Sequence, residues 1–163
     1  IAAQRGGEPP TALQGVTNEL LKLIPMFRER PGRLLIVATN FIRALDDAFL
    51  RHGRFDYVIP IGLPDKTARE SIWHRYIPPT ALENVDVAEL VKRTDGFSPA
   101  DIEFAARKAA QKALESAVYE QKDTSGIGPT TEDYLWAIGD TRMTVSGEMV
   151  GQFLEDIDAL ARL

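Results

Sequence analysis

Hydrophobic positions in the first third of the chain change period twice. Leu13, Val16, Leu20, Leu23, Ile24 and Phe27 recur at spacings of three and four, the stripe of an amphipathic helix. Thr11 and Gln14 would open that helix as a capping box, and Pro25 would end or kink it. The pattern then becomes continuous: Arg33-Leu34-Leu35-Ile36-Val37-Ala38-Thr39 is an apolar run between turn residues, as in a parallel strand covered on both faces. Tyr57-Val58-Ile59-Pro60-Ile61 predicts a second strand, placed by Pro60 at an edge or near its own end.

Beyond Pro64 the pattern predicts helices alone. Asp65 or Thr67 starts one that stops before Pro78-Pro79, and Asp86 with Glu89 brackets another that ends at Gly96. Ser98-Pro99-Ala100-Asp101 is the clearest helix start: a Ser cap, Pro at the first helical position, and an acid three residues after the Ser. That helix runs to about Tyr119. Thr130 with Asp133 begins a short helix towards Gly139, and Ser146 caps a last one with Met149, Val150, Phe153, Leu154, Ile157 and Leu160 on its apolar face. The prediction is a helix-strand-strand part over residues 1–62 and an all-helical part over residues 63–163.

Composition supports a globular reading. Of 163 residues, 44% are hydrophobic and 26% charged, enough apolar material for a real core. Nineteen Lys+Arg against 24 Asp+Glu give a net charge of −5, so the basic footprint of nonspecific nucleic-acid binding is missing. Without cysteine there is no disulfide framework, thiol nucleophile or thiolate metal site. Two histidines, His52 and His74, leave little for a His-rich metal centre. No apolar run approaches the length of a membrane span, which together with the cysteine count points to the cytoplasm. The opening Ile1-Ala2-Ala3-Gln4-Arg5 reads as the middle of a longer protein.

The candidate chemistry sits just after the first predicted strand. A polar amide at the carboxyl end of a parallel strand lies where open α/β sheets bind ligands, so Asn40 is placed to touch a phosphate or an attacking water; the plainer alternative is that it caps the following loop. Arg51 and Arg54 flank His52-Gly53, and a tight turn there would present two guanidiniums together, unless Asp46, Asp47 or Asp56 pairs with them.

Leu34 to Asn40, then Leu45-Asp46-Asp47-Ala48-Phe49-Leu50-Arg51 and His52-Gly53-Arg54-Phe55-Asp56, resembles the signature of the AAA ATPases: a strand ending in Thr-Asn, Leu-Asp-x-Ala, and an Arg-x-Gly-Arg-Phe-Asp turn. The resemblance continues through Pro64-Asp65 and the turn from Asp95 to Asp101 into the Ala-rich helix, covering about residues 33–120. It implies an α/β P-loop NTPase-like large subdomain, present in part with its parallel strands, followed by a helical lid. It implies that Asn40 is the sensor 1 residue, orienting the attacking water. Arg51 and Arg54 would be arginine fingers that reach the nucleotide of the next subunit in a ring, a homohexamer. His52 stands where relatives often carry proline and is given no catalytic role.

By the same resemblance the lid closes over adenine and ribose. Pro99 and Ala100 fall where the family's Gly-Ala packs against the base, and Pro99 departs from that pattern by removing an amide donor. Tyr76 falls at a base-adjacent position where His is common; a core role is its plainer alternative. Arg107 is read as structural or intersubunit.

The family's cofactor, ATP with Mg²⁺, needs a Gly-x-x-x-x-Gly-Lys-Ser/Thr loop and an Asp-Glu pair at a strand end. Neither occurs in these 163 residues, so both are expected upstream and the chain alone is expected to be inactive. Missing neighbours would leave apolar strand faces of residues 1–62 uncovered unless another chain fills the space. The implied activity is ATP-driven unfolding or remodelling of protein clients. The alternative is a noncatalytic docking module that binds an ATPase partner. A DNA-directed relative is disfavoured by the acidic balance, and a built-in zinc protease by the lack of His-Glu-x-x-His.

Overall fold

The computed structural model describes residues 12–119 and 128–162. The chain separates into two compact units, one formed by Ile1–Pro60 with Gln152–Leu163 and the other by Ile61–Gly151.

Helices α2 (Lys66–Tyr76), α3 (Val87–Arg93), α4 (Pro99–Tyr119) and α5 (Thr131–Gly139) build the second unit. Each starts on a polar side chain that satisfies an orphan backbone N–H: Asp65 accepts from Ala68 N at 2.7 Å, Asp86 from Glu89 N at 3.0 Å, and Ser98 Oγ from Asp101 N at 3.2 Å. Thr130 and Asp133 form a reciprocal capping box. The stop after α3 falls on Gly96, whose φ of +79° is a left-handed conformation that a Cβ would strain.

The core of this unit is Trp73, Ile77, Leu90, Val91, Ile102, Tyr134, Ile138 and the small face Ala105, Ala106 and Ala109 of α4. Those alanines let α4 approach its neighbours closely, and the Trp73 and Tyr134 rings meet edge to face at 5.5 Å. The Trp73 indole N–H donates to Thr94 Oγ1 at 3.2 Å, and that hydroxyl donates to Leu90 O at 2.8 Å. Arg69 is only 8% exposed. Its guanidinium joins α2 to the end of α3 through Pro64 O at 3.0 Å and Asp95 at 3.1 Å.

The first unit contains α1 (Ala12–Arg28) and 3₁₀ turns at Ile42–Ala44 and Asp47–Leu50. The Thr11 part of the expected capping box lies outside the described residues, and so does the side chain of Leu13. Helix α1 runs through Pro25 for three more residues, with Glu29 N donating to Pro25 O at 3.2 Å. Its covered side is Thr17, Leu21 and Ile24, with Leu21 and Ile24 against Phe49, whereas Val16, Leu20 and Leu23 are exposed. The sixth helix, α6 (Gly147–Leu160), begins with Met149 N on Ser146 Oγ at 3.2 Å, and the division between the units falls within it. None of its residues is fully buried.

The α/β class expected from the sequence is overturned: among the described residues there is no β-strand, parallel or otherwise, and the described fold is helical. A strand exists by pairing, and none of the described residues forms a ladder with residues 33–39. The apolar run is uncovered, with Leu34 81% and Ile36 80% exposed. Around Tyr57 to Ile61 the pairing is a single antiparallel bridge, in which Val58 N donates to Arg162 O at 2.9 Å and Arg162 N to Val58 O at 3.1 Å.

Candidate functional site

The loop that carries both candidate arginines is built on Phe49. Asp46 Oδ1 accepts from Ala48 N at 2.9 Å and starts the 3₁₀ turn, which drives the 2%-exposed Phe49 ring against Leu21 and Ile24 of α1. Phe55 stacks on Phe49 at 6.2 Å, and its N–H donates to Phe49 O at 3.3 Å, so residues 50–54 close into a tight loop. Arg54 N donates to Arg51 O at 3.3 Å, and Gly53 reverses the chain at φ +88°. Arg162 holds the same loop from the far end of the chain, donating to Leu50 O and to Phe55 O. Sequence reasoning missed Arg162, because a single arginine 107 to 112 residues away from its partners carries no local signal.

Two of the three acids expected to compete for the arginines, Asp56 and Asp46, are used elsewhere. Asp56 accepts from Gly53 N at 2.9 Å and pairs with Arg28 at 2.5 Å. Asp46 serves as the cap. Arg54 is half-buried, its Nη1 donating to Ala48 O, while Arg51 is exposed and has no ion pair or side-chain hydrogen bond among the described residues. The turn therefore separates the two guanidiniums by role: Arg54 braces the loop and Arg51 projects from it.

Asn40 is exposed in a bend. The loop after it is capped by its neighbour, with Phe41 N donating to Thr39 Oγ1 at 3.0 Å. With no sheet among the described residues, there is no sheet rim on which to locate the Asn40 amide.

In the second unit, Pro99 and Ala100 are exposed in the first turn of α4. That turn is fixed by Asp101, 3% exposed, which accepts from Ser98 N at 2.9 Å, Ser98 Oγ at 2.8 Å and Thr144 Oγ1 at 3.2 Å. Burial by itself would raise the Asp101 carboxyl, but the hydrogen bonds from Ser98 and Thr144 outweigh it and hold the group below the usual carboxylate range. Tyr76 packs its ring against the core margin and donates its hydroxyl to Glu103 Oε2 at 2.9 Å. The hydrogen bond to Glu103, with some burial, raises the phenol above its ordinary value. Glu103 lies three residues beyond Ala100 and four beyond Pro99, on one helix face, so Tyr76, Pro99 and Ala100 share a surface. Arg107 closes the row with a 2.7 Å ion pair to Glu103.

The donor chemistry suits part of a magnesium nucleotide. A projecting guanidinium and an exposed amide suit phosphate oxygens. The metal finds no such fit, because no group of three or more His, Asp or Glu among the described residues could hold an ion. Two open cavities of about 630 and 380 Å³, lined around Arg93 and Arg142 and around Lys66 and Lys92, include none of the candidate residues.

Comparison with known proteins gives this geometry its context. Residues 1–63 match the family described as ATPases associated with various cellular activities (AAA), and residues 84–125 match the AAA+ lid domain. This chain belongs to the AAA ATPases. It is 34% identical over 160 residues to the ATP-dependent zinc metalloprotease FtsH of Thermus thermophilus, covering 90% of this chain and 26% of that protein. It is 45% identical over 87 residues to FtsH of Mycoplasmopsis synoviae, covering 53% of this chain and 13% of that protein. With the cell division cycle protein 48 homolog of Archaeoglobus fulgidus it shares 41% identity over 107 residues, 64% of this chain and 14% of the relative. The AAA chain described here thus spans about a quarter or less of each of these relatives. No helix among its described residues is long and apolar enough to cross a membrane.

Proposed function

We propose that this chain supplies the sensing and lid elements of an ATP hydrolase that couples hydrolysis to the unfolding or remodelling of protein clients, working as a homohexameric ring. Asn40 is its sensor 1 residue and orients the attacking water. Arg51 is its arginine finger, reaching the nucleotide held by the adjoining subunit, and Arg54, the second finger expected from the sequence, stiffens the loop that presents it. Tyr76, Pro99 and Ala100 form the face that meets the base. ATP with Mg²⁺ is the cofactor, its phosphate and metal ligands supplied by residues other than these. These 163 residues by themselves do not turn over ATP, for want of a phosphate loop.

The observation that carries this reading is Arg51: an exposed guanidinium, unpaired among the described residues, on a turn braced by Phe49, Arg54 and Arg162. An arginine kept for a solvated surface needs no such bracing. Phosphoryl transfer is mainly charge stabilisation, and an arginine delivered in trans contributes on the order of 10³ to 10⁵ in rate. In the full-length protein, Arg51→Ala should lower kcat by about 10³-fold or more while assembly and ATP affinity persist. Turnover within an order of magnitude of wild type would refute the assignment.

A further inference from the structure

Arg162 closes the neck of the loop that presents Arg51. Its Nη2 donates to Leu50 O and, at 3.4 Å, to Phe55 O. Leu50 directly precedes Arg51 and Phe55 directly follows Arg54, so one nitrogen ties together the two ends of residues 51–54. The Leu50 carbonyl belongs to the peptide unit that leads into Arg51. The N–H of that unit donates to Ala48 O at a long 3.5 Å, so the charged donor on the carbonyl is its firmer hold. The other braces act elsewhere: Phe55 stacks on Phe49 at the base of the loop, and Arg54 reaches back to Ala48 O.

Arg162 is itself seated by the main chain, through the two-way bridge with Val58 at 2.9 and 3.1 Å. The helix before it is gripped a second time, where Arg43 donates to Asp156 at 2.5 Å, Glu155 at 2.8 Å and Gln152 O at 3.1 Å. All of these partners lie in the first compact unit. A half-buried guanidinium on a fixed seat thus holds the root of an exposed one.

We propose that Arg162 is a positioning residue: by fixing the peptide that leads into Arg51, it aims the Arg51 guanidinium at the nucleotide of the adjoining subunit. This rests on the reading of Arg51 as the arginine finger. A long side chain finds its phosphate only if its root is well placed, and a misplacement of about 1 Å costs on the order of 10²-fold in rate.

The test compares Arg162→Ala with Arg51→Ala and Asn40→Ala in the full-length protein, with thermal melting and ring assembly as controls. Arg162→Ala should lower kcat by about 10- to 100-fold while KM for ATP stays within twofold. Subunit mixing adds a readout that a merely structural role would not move. Mixed with Asn40→Ala, whose subunits carry a correctly aimed Arg51, Arg162→Ala should exceed the activity of either variant alone; mixed with Arg51→Ala it should not. If Arg162→Ala melts early or loses the ring, Arg162→Gln, which keeps an amide donor, is put through the same two mixtures with the same expected pattern. Gain in both mixtures, or in neither despite demonstrated exchange, would overturn the positioning role. If Arg51→Ala is inactive while Arg162→Ala turns over within twofold of wild type, this inference alone fails. If Arg51→Ala itself turns over like wild type, the finger reading fails and the inference with it.

Discussion

Arg51 and Asp101 show opposite uses of charge. Arg51 is held in the open by its neighbours, whereas Asp101 is 3% exposed and paid back for burial by four hydrogen bonds from Ser98 and Thr144. The Asp101 carboxyl is held below its unfolded value of about 3.9. Its contribution is therefore full above that value and is lost as pH falls through the lower folded one. Thermal melts taken downward from pH 7 should lose stability from about pH 4, and Asp101→Asn should cost about 1–2 kcal/mol at pH 7 and flatten that acid limb. An unchanged acid limb in the variant would contradict the assignment. Tyr134 behaves in the reverse sense. Burial, and then the nearby Asp133 charge, push its phenol up to about 12, and its hydroxyl has no partner among the described residues. A phenol raised in the fold supports stability below its unfolded value of about 10 and loses that support as pH rises towards 12. Removing an unsatisfied buried hydroxyl while keeping the ring should be neutral or stabilising, so Tyr134→Phe should melt no lower than wild type and resist alkaline unfolding better. A clear loss of stability at pH 7 would show that the hydroxyl is satisfied.

At the scale of elements, the helices were legible because their signals are local. Asp65, Asp86, Ser98, Thr130 and Ser146 each cap the helix that the sequence predicts to start there. Strands were not legible in that way. Residues 33–39 carry the composition of a buried strand, but a strand is completed by a partner that composition does not supply, and the run stays 80% exposed at Ile36. The stripe on α1 rests on spacings of three and four; the structure buries Ile24 of that stripe but joins it to Thr17 and Leu21 and leaves Val16, Leu20 and Leu23 exposed, because Phe49 packs against Leu21 and Ile24. Of the candidate site, the motif located Arg51 and Arg54 on a turn, but their division into a projecting and a bracing residue came from Ala48 O and Arg162, which the sequence does not bring near. Hydrogen exchange on the 163-residue chain checks the element-level account. Amides of residues 33–38, which donate no backbone hydrogen bond to described residues, should exchange at near-unprotected rates while the α2 and α4 core amides are slow. Protection of that run equal to α4 would mean that it pairs after all.

For the molecule as a whole, the two compact units carry separate shares of the proposed chemistry. Asn40, Arg51 and Arg54 belong to the first, and Tyr76, Pro99 and Ala100 to the second. Membership of the AAA ATPases is shared by both, through the matches at residues 1–63 and 84–125. The central claim is that Asn40 acts on the nucleotide of its own subunit and Arg51 on that of a neighbour. Mixing two inactive full-length variants, Asn40→Ala and Arg51→Ala, tests it most directly. Mixed rings contain interfaces where an intact Asn40 from one subunit meets an intact Arg51 from the other, so ATPase activity should return on subunit exchange. Mixtures no more active than the separate variants, despite demonstrated exchange, would contradict the account.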